Sequence, residues 1–247
     1  MRKLEFLPKE DIEWIIPKEA LIAVSILDDF STKRFLEVGV LNAAWSLNLL
    51  RNTDSHGVGI DPYPNLSQMR ERTLIKLERH KYVLLENFEN LSNFDFFDLI
   101  HIDGEHTFEA VYKDLTYSEK HLSNRGVIVI DDVWHSSFPG VAAAFFSWLI
   151  NSDFAPFLVT GSKIYVTLKS NHSYWYRHFE ENFTRYPEFP WMRYYGEGKS
   201  LAYISKPDIG SYTTLLSPDK FIPQNLSSLL PIWPTQPFLG DVFQSRD

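Results

Sequence analysis

The chain has 247 residues, 44% hydrophobic and 15% aromatic, with a formal net charge of -8. That length can bury one sizeable core, with or without an appendage, while the acidic balance and the lack of a Lys/Arg-rich block argue against a nucleic-acid partner. Cysteine is absent, which excludes disulfides, zinc–thiolate sites and cysteine nucleophiles and agrees with a reducing compartment.

Apolar runs that end in an acidic residue recur along the chain, each followed by helical periodicity. Arg34-Phe-Leu-Glu-Val-Gly39 precedes a helix over about 42–51. Gly57-Val-Gly-Ile-Asp61 precedes a helix over 66–79, and Tyr82-Val-Leu-Leu-Glu86 is a weaker third run. The fourth is Asp98-Leu-Ile-His-Ile-Asp103 and the fifth Gly126-Val-Ile-Val-Ile-Asp131. Between these two, Phe108, Val111, Tyr112, Leu115 and Leu122 share one face of an amphipathic helix. A further apolar helix covers 141–150. Two last runs, 157–160 and 164–168, flank Gly161-Ser162-Lys163 and predict an antiparallel hairpin at one sheet edge. Strands alternating with helices in this way predict a Rossmann-like, doubly wound α/β fold, with a mostly parallel seven-stranded sheet and that edge hairpin.

Residues 1–169 read as the core, including an N-terminal helix. Residues 170–247 hold eight prolines and many aromatics, a density that blocks long regular elements. They read as a C-terminal appendage: a lid, a substrate wall or a contact between copies. Met1-Arg2-Lys3-Leu4-Glu5 has no apolar signal core, and the longest apolar stretch is far too short to span a bilayer. The expectation is a cytoplasmic protein without a membrane partner.

In an open α/β sheet, ligands bind beyond the carboxyl ends of the strands, near the reversal of strand order. Glu37, Asp61, Asp103 and the Asp131-Asp132 pair all fall at such ends. Asp61 could accept both hydroxyl hydrogens of a ribose, and Gly39 would let backbone approach a ligand. After Gly39 the chain reads Val-Leu-Asn-Ala-Ala, without the glycines that seat a pyrophosphate. A cofactor with a ribose and no pyrophosphate fits better. Asp103 and Asp131 are 28 residues apart, room for one βαβ crossover. Adjacent strands lie ~4.8 Å apart, so their terminal carboxylates can share one ion, and an all-oxygen set suits Mg²⁺, Mn²⁺ or Ca²⁺.

This arrangement resembles the class I S-adenosylmethionine-dependent methyltransferases over about residues 18–169, and most the metal-dependent O-methyltransferase branch that includes the catechol and macrocin enzymes. The most specific parts are Phe97-Asp-Leu-Ile-His-Ile-Asp-Gly-Glu-His106 and Leu122-Ser-Asn-Arg-Gly-Val-Ile-Val-Ile-Asp-Asp-Val-Trp134. The resemblance implies that Glu37 and Gly39 hold the methionine portion of S-adenosylmethionine, that Asp61 holds its ribose, and that Asn87 lies in the adenine-contacting stretch. It implies a divalent metal, Mg²⁺ first, on Asp103, Asp131 and Asp132, with Asp103 also lining the cofactor pocket. Ala43 and Trp45 depart from the family pattern, standing where a later glycine and a small hydroxyl residue are usual.

Eight histidines are present. His106, three residues after Asp103 where the catechol enzymes carry a catalytic lysine, is the first candidate general base, and its other reading is a partner that orients Asp103 or caps the helix. His135 is the second candidate base, and Trp134 beside it a pocket wall. His101 alternates within the fourth strand and reads as a packed, hydrogen-bonded core residue, while His56, His80, His121, His172 and His178 are expected at the surface. The expected reaction is methyl transfer to a hydroxyl of a small molecule such as a sugar, polyol or catechol. Two alternatives remain: a nucleotide-binding enzyme of other metal-dependent, hydroxylase-like chemistry (the cephalosporin hydroxylases have a similar pattern), and a catalytically silent binding module.

Overall fold

The computed structural model describes residues 17–41, 43–62, 81–93, 96–160, 162–182, 191–195, 201–205 and 212–215. The helix expected over 66–79, His80 and most of the proline-rich segment lie outside the described residues. Five parallel strands come first in the sheet: β1 (Arg34–Val38), β2 (His56–Ile60), β3 (Tyr82–Leu85), β4 (Phe97–Ile102) and β5 (Leu122–Ile130). The hairpin β6 (Phe154–Val159) and β7 (Ile164–Leu168) follows, with β7 antiparallel to β5. These seven strands, in the order 3-2-1-4-5-7-6, form the mostly parallel sheet expected from the sequence.

Helices cover both faces. α1 (Pro17–Leu27) and α2 (Ala44–Asn52) pack on one face, against Leu99, Val127 and Val129. α3 (Phe108–Lys120) and α4 (Pro139–Ile150) pack on the other, against Ile100, Ile128 and Ile130. Successive strand residues therefore serve opposite cores, which is why β4 and β5 read as unbroken apolar runs. α3 starts where the Thr107 hydroxyl accepts from the Ala110 N–H, an N-cap that satisfies one orphan donor. Val111 and Leu115 face the core as expected, while Leu122 belongs to β5 and Phe108 is 39% exposed.

The sheet does not end at the hairpin. β6 pairs with β10 (Tyr212–Leu215), which pairs with β9 (Leu201–Ser205), which pairs with β8 (Trp191–Tyr195), all antiparallel. The proline-rich segment thus contributes three short strands, so the hairpin is interior and the edge moves to β8. Ahead of the first of its prolines, Pro187, the chain also forms α5 (His172–Asn182). Its Trp175 is fully buried among Phe30, Phe157 and Phe179, and the indole N–H donates to the Arg125 carbonyl at 2.9 Å.

Two histidines expected at the surface are placed by this helix instead. His172 is 2% exposed and donates from Nε2 to the Pro156 carbonyl, and the His178 ring meets the Ser25 hydroxyl at 3.1 Å. Both lie in the proline-free stretch, where the helix turns one side onto the sheet. His56 is exposed and His121 half-buried, closing α3 at its C-cap. Among the described residues no helix is long and apolar enough to cross a membrane.

Trp175→Ala should cost ~3–5 kcal/mol of stability through the cavity and the orphaned Arg125 carbonyl. The expected reading is a lower urea midpoint at unchanged slope. A midpoint equal to that of the parent chain would show that α5 is not part of the core.

Candidate active site

Register brings the candidate residues to one line. Val38 lies opposite Ile60 on one side and Ile102 on the other, and Ile102 lies opposite Ile130. The residues that follow these four are Gly39, Asp61, Asp103 and Asp131, so all four leave the sheet at the same level. Strand order reverses between β1 and β4, where the crevice opens.

Gly39 has φ +82°, and a Cβ there would stand 2.0 Å from the Asp103 carbonyl oxygen. Only glycine allows the β1 and β4 turns to approach this closely. The turn continues with Leu41 and Ala43 at φ 46° and 56°. Ala43, in the place of a usual glycine, keeps the left-handed backbone at a cost of about 1–2 kcal/mol. Asp61 ties the turn down: its Oδ2 accepts the N–H groups of Val40 and Leu41 at 3.2 and 3.1 Å. Asn87 is exposed at the turn after β3.

Glu37 is not at the mouth of the crevice. Its side chain is enclosed beneath α2, 3% exposed, and the Ser46 hydroxyl donates to its Oε2. Burial raises its pKa to about 8, so near neutral pH the group is mainly the uncharged acid. It supports the turn from below. Ser46 also reaches the Tyr82 hydroxyl at 3.3 Å, and that hydroxyl fills the space where a Cβ on Gly59 would be. Trp45, the other departure from the family pattern, is 3% exposed and stacks on His101, ring centroids 4.4 Å apart.

Asp103, Asp131, Asp132, His106 and Lys163 meet on the other side of the turn. His106 Nε2 lies 3.4 Å from Asp103 Oδ1 and 3.6 Å from Asp132 Oδ2. The bond to Asp103 raises the imidazole pKa above its ordinary value. Thr107, not His106, caps α3. His135 is exposed, and Phe138 sits between the two imidazoles, with ring centroids 4.2 Å from His106 and 4.6 Å from His135. Trp134 is half-buried beside Phe146, as a wall residue would be.

Asp132 has φ 55°, a left-handed conformation that aspartate tolerates better than most residues. The twist lets its N–H donate back to Asp131 Oδ1 at 2.8 Å and turns its carboxylate toward His106. Burial raises the pKa of Asp103 and, together with the charge of Asp131, that of Asp132. Burial also opposes ionisation of Asp131, but the Lys163 ammonium, joined by His101, overrides it and holds that carboxyl well below the usual range. Lys163 was not singled out from the sequence. A signal existed: a hairpin paired antiparallel to β5 places the residue before Ile164 beside the residue after Ile130.

Asp103, His106 and Asp132 each present a ligand atom within 4.8 Å of the others, as do His101, Asp103 and Asp131. A hard divalent cation fits the oxygen-rich, half-open side of this cluster.

Residues 36–133 match the family model described as a methyltransferase domain. No curated protein sequence matches the chain. Among solved structures, an O-methyltransferase from Bacillus cereus in complex with SAH is similar at 12% identity, covering 63% of this chain and 82% of that one, TM-score 0.54. An O-methyltransferase from Streptomyces achromogenes involved in tomaymycin synthesis, in complex with SAM, is similar at 15% identity over 65% and 84%, TM-score 0.52. An SAH-bound methyltransferase from Podospora anserina gives 15% identity over 66% and 82%, TM-score 0.52. At such identities the likeness shows the fold. The chain is similar to methyltransferases over residues 36–133, and its sheet has the fold of these O-methyltransferase structures.

The buried acid makes a pH prediction. Glu37 goes from a pKa of 4.5 in the unfolded chain to about 8 in the folded one. Above the lower value the unfolded chain releases a proton that the folded chain keeps, so stability should fall as pH rises from about 4.5 to about 8. Glu37→Gln should flatten that arm of the stability–pH curve, measured by urea unfolding at several pH values. An unchanged slope would mean that Glu37 is already ionised in the folded chain.

Proposed function

We propose that this methyltransferase carries the methyl group of S-adenosylmethionine to a hydroxyl oxygen of a small molecule, with a divalent cation, Mg²⁺ first, in the cluster of Asp103, Asp131 and Asp132. The acceptor class is a sugar, polyol or catechol-like diol, whose neighbouring oxygens suit such a cation. The supporting observation is the level row of Gly39, Asp61, Asp103 and Asp131 at the reversal of strand order. It divides the crevice into a glycine-turn half and a carboxylate half.

S-adenosylmethionine supplies an electrophilic methyl carbon, and a divalent ion lowers the pKa of a bound hydroxyl. The chain's own residues do the rest. Gly39 opens the turn for the methionine portion, with Glu37 beneath it. Asp61 and Asn87 serve the ribose and adenine ends. His106, half-buried between Asp103 and Asp132, takes the acceptor proton as general base, its proton affinity raised by the bond to Asp103. His135 is the second candidate, on the exposed side of Phe138. Alignment of acceptor oxygen and methyl carbon at ~3 Å then accounts for much of the rate. Residues 170–247 are assigned as the appendage of the core, closing over the acceptor or meeting a second copy, and the location is the cytoplasm.

Calorimetry with S-adenosylmethionine and its demethylated product should detect binding, weakened about 10–100-fold by Asp61→Ala. Labelled methyl should appear on members of a polyol and catechol panel, stop with EDTA and resume with Mg²⁺. Binding without transfer to any acceptor would favour the silent module, and absence of cofactor binding would favour hydroxylase-like chemistry. Turnover that survives exhaustive chelation would remove the cation.

His106→Ala and His106→Gln should each slow transfer ~10²–10⁴-fold. The competing role for His106 is that of metal ligand, favoured by its position in the cluster. A base leaves Mn²⁺ affinity intact in His106→Ala, whereas a ligand does not.

A further inference from the structure

Within the carboxylate cluster, Asp131 is built differently from its neighbours. Its Oδ2 receives the Lys163 ammonium, and its Oδ1 accepts the Asp132 N–H at 2.8 Å. Lys163 is 5% exposed, and its backbone is fixed on both sides: the Thr160 N–H donates to its carbonyl at 2.8 Å, and its own N–H donates to the Thr160 hydroxyl at 3.2 Å. Asp103 and Asp132 instead have side chains 36% and 23% exposed, open to exchange with solvent.

A second observation comes from beneath. His101 is 2% exposed and neither ring nitrogen has a hydrogen-bond partner, yet Nε2 lies 3.8 Å from Asp131 Oδ2. A buried polar ring of this kind is normally satisfied. Here it backs the same oxygen that Lys163 holds. Pulling Lys163 away so that a metal could take its place would leave the buried Lys163 ammonium uncompensated.

We infer that Lys163 is the resident cation of the site, a positioning residue that holds Asp131 as an already compensated carboxylate, so that the exchangeable divalent cation is carried by Asp103 and Asp132 on the open side. The inference rests on the cation-dependent reading above and narrows its ligand set. Charge supports the division. Lys163 cancels Asp131, and the two remaining carboxylates match a divalent ion. Asp131 then serves to fix the backbone of Asp132, through the N–H it accepts, and so aims that carboxylate.

The test is Mn²⁺ titration of the full chain, followed by electron paramagnetic resonance of the free ion, with binding of the demethylated cofactor as a check on folding. Asp103→Asn and Asp132→Asn should each weaken Mn²⁺ binding by ~10²-fold or more. The double variant Asp131→Asn with Lys163→Met, which removes one charge of each sign, should stay within about 10-fold of the parent, the lesser end of effects beyond direct ligands. Lys163→Arg should bind as the parent does. If the double variant loses Mn²⁺ as fully as Asp132→Asn, Asp131 is a direct ligand and the inference is wrong while the cation reading stands. If the parent chain binds no Mn²⁺, both are wrong. Should the double variant fail to fold, amine labelling of the parent chain decides: Lys163 should stay equally protected with and without Mn²⁺, and exposure on metal addition would overturn the inference.

Discussion

Parallel strands paired in register leave a sheet at one level, and that constraint decides where every chemical group of this protein can stand. Val38, Ile60, Ile102 and Ile130 are the last strand residues of four neighbours in the sheet. Whatever follows them faces one crevice. Because side chains alternate across a strand, a slip of a single residue would send an acid into a core and an apolar residue to the mouth. The two packed faces prevent such a slip, since Leu99 and Ile100 serve different cores. The geometry of the site is thus maintained by apolar packing far below it.

That same constraint creates an electrostatic problem. Asp103, Asp131 and Asp132 are forced together, and clustered carboxylates resist ionisation. The fold answers unevenly. Lys163, brought to Asp131 by the antiparallel return of β7, keeps one acid ionised. His106 contributes a weaker, titratable partner to the other two. Glu37, buried and held by Ser46, keeps its proton instead. Three solutions to buried negative charge therefore occur within one strand row: pairing with an ammonium, pairing with an imidazole, and retention of the proton.

The sheet, its helices and the line of strand-end acids were legible because they depend on local pattern: apolar runs, helical period and the acids that end the runs. Lys163 was missed because its neighbour is set by a pairing 32 residues away in sequence, and a Gly-Ser-Lys turn looks like solvent-exposed punctuation. Glu37 was legible as a member of the row but not as a buried one, since alternation places it on the α2 face only once β1 is flanked on both sides. The proline density after Lys169 argues against long regular elements, and it gives no sign of the shorter ones that form there. Yet α5 uses the stretch before Pro187, and short antiparallel strands tolerate the rest. His172 and His178 carry no local signal of burial, because their partners, the Pro156 carbonyl and the Ser25 hydroxyl, are distant in sequence.

The departures at Ala43 and Trp45 gain a physical meaning from the same row. A small residue at position 45 would leave the inner face of His101 beside a void. The indole closes it, stacked on the imidazole at 4.4 Å. His101 stands opposite Glu37 on one side and Val129 on the other. Trp45 consequently packs on a buried polar ring that lies between the glycine-turn half of the crevice and the carboxylate half, 4.0 Å from Glu37 Oε1 through Nδ1 and 3.8 Å from Asp131 Oδ2 through Nε2. Ala43 stands beside it, its left-handed backbone leading directly into α2. At position 45 the indole therefore packs the turn against a ring that also lies beside Asp131.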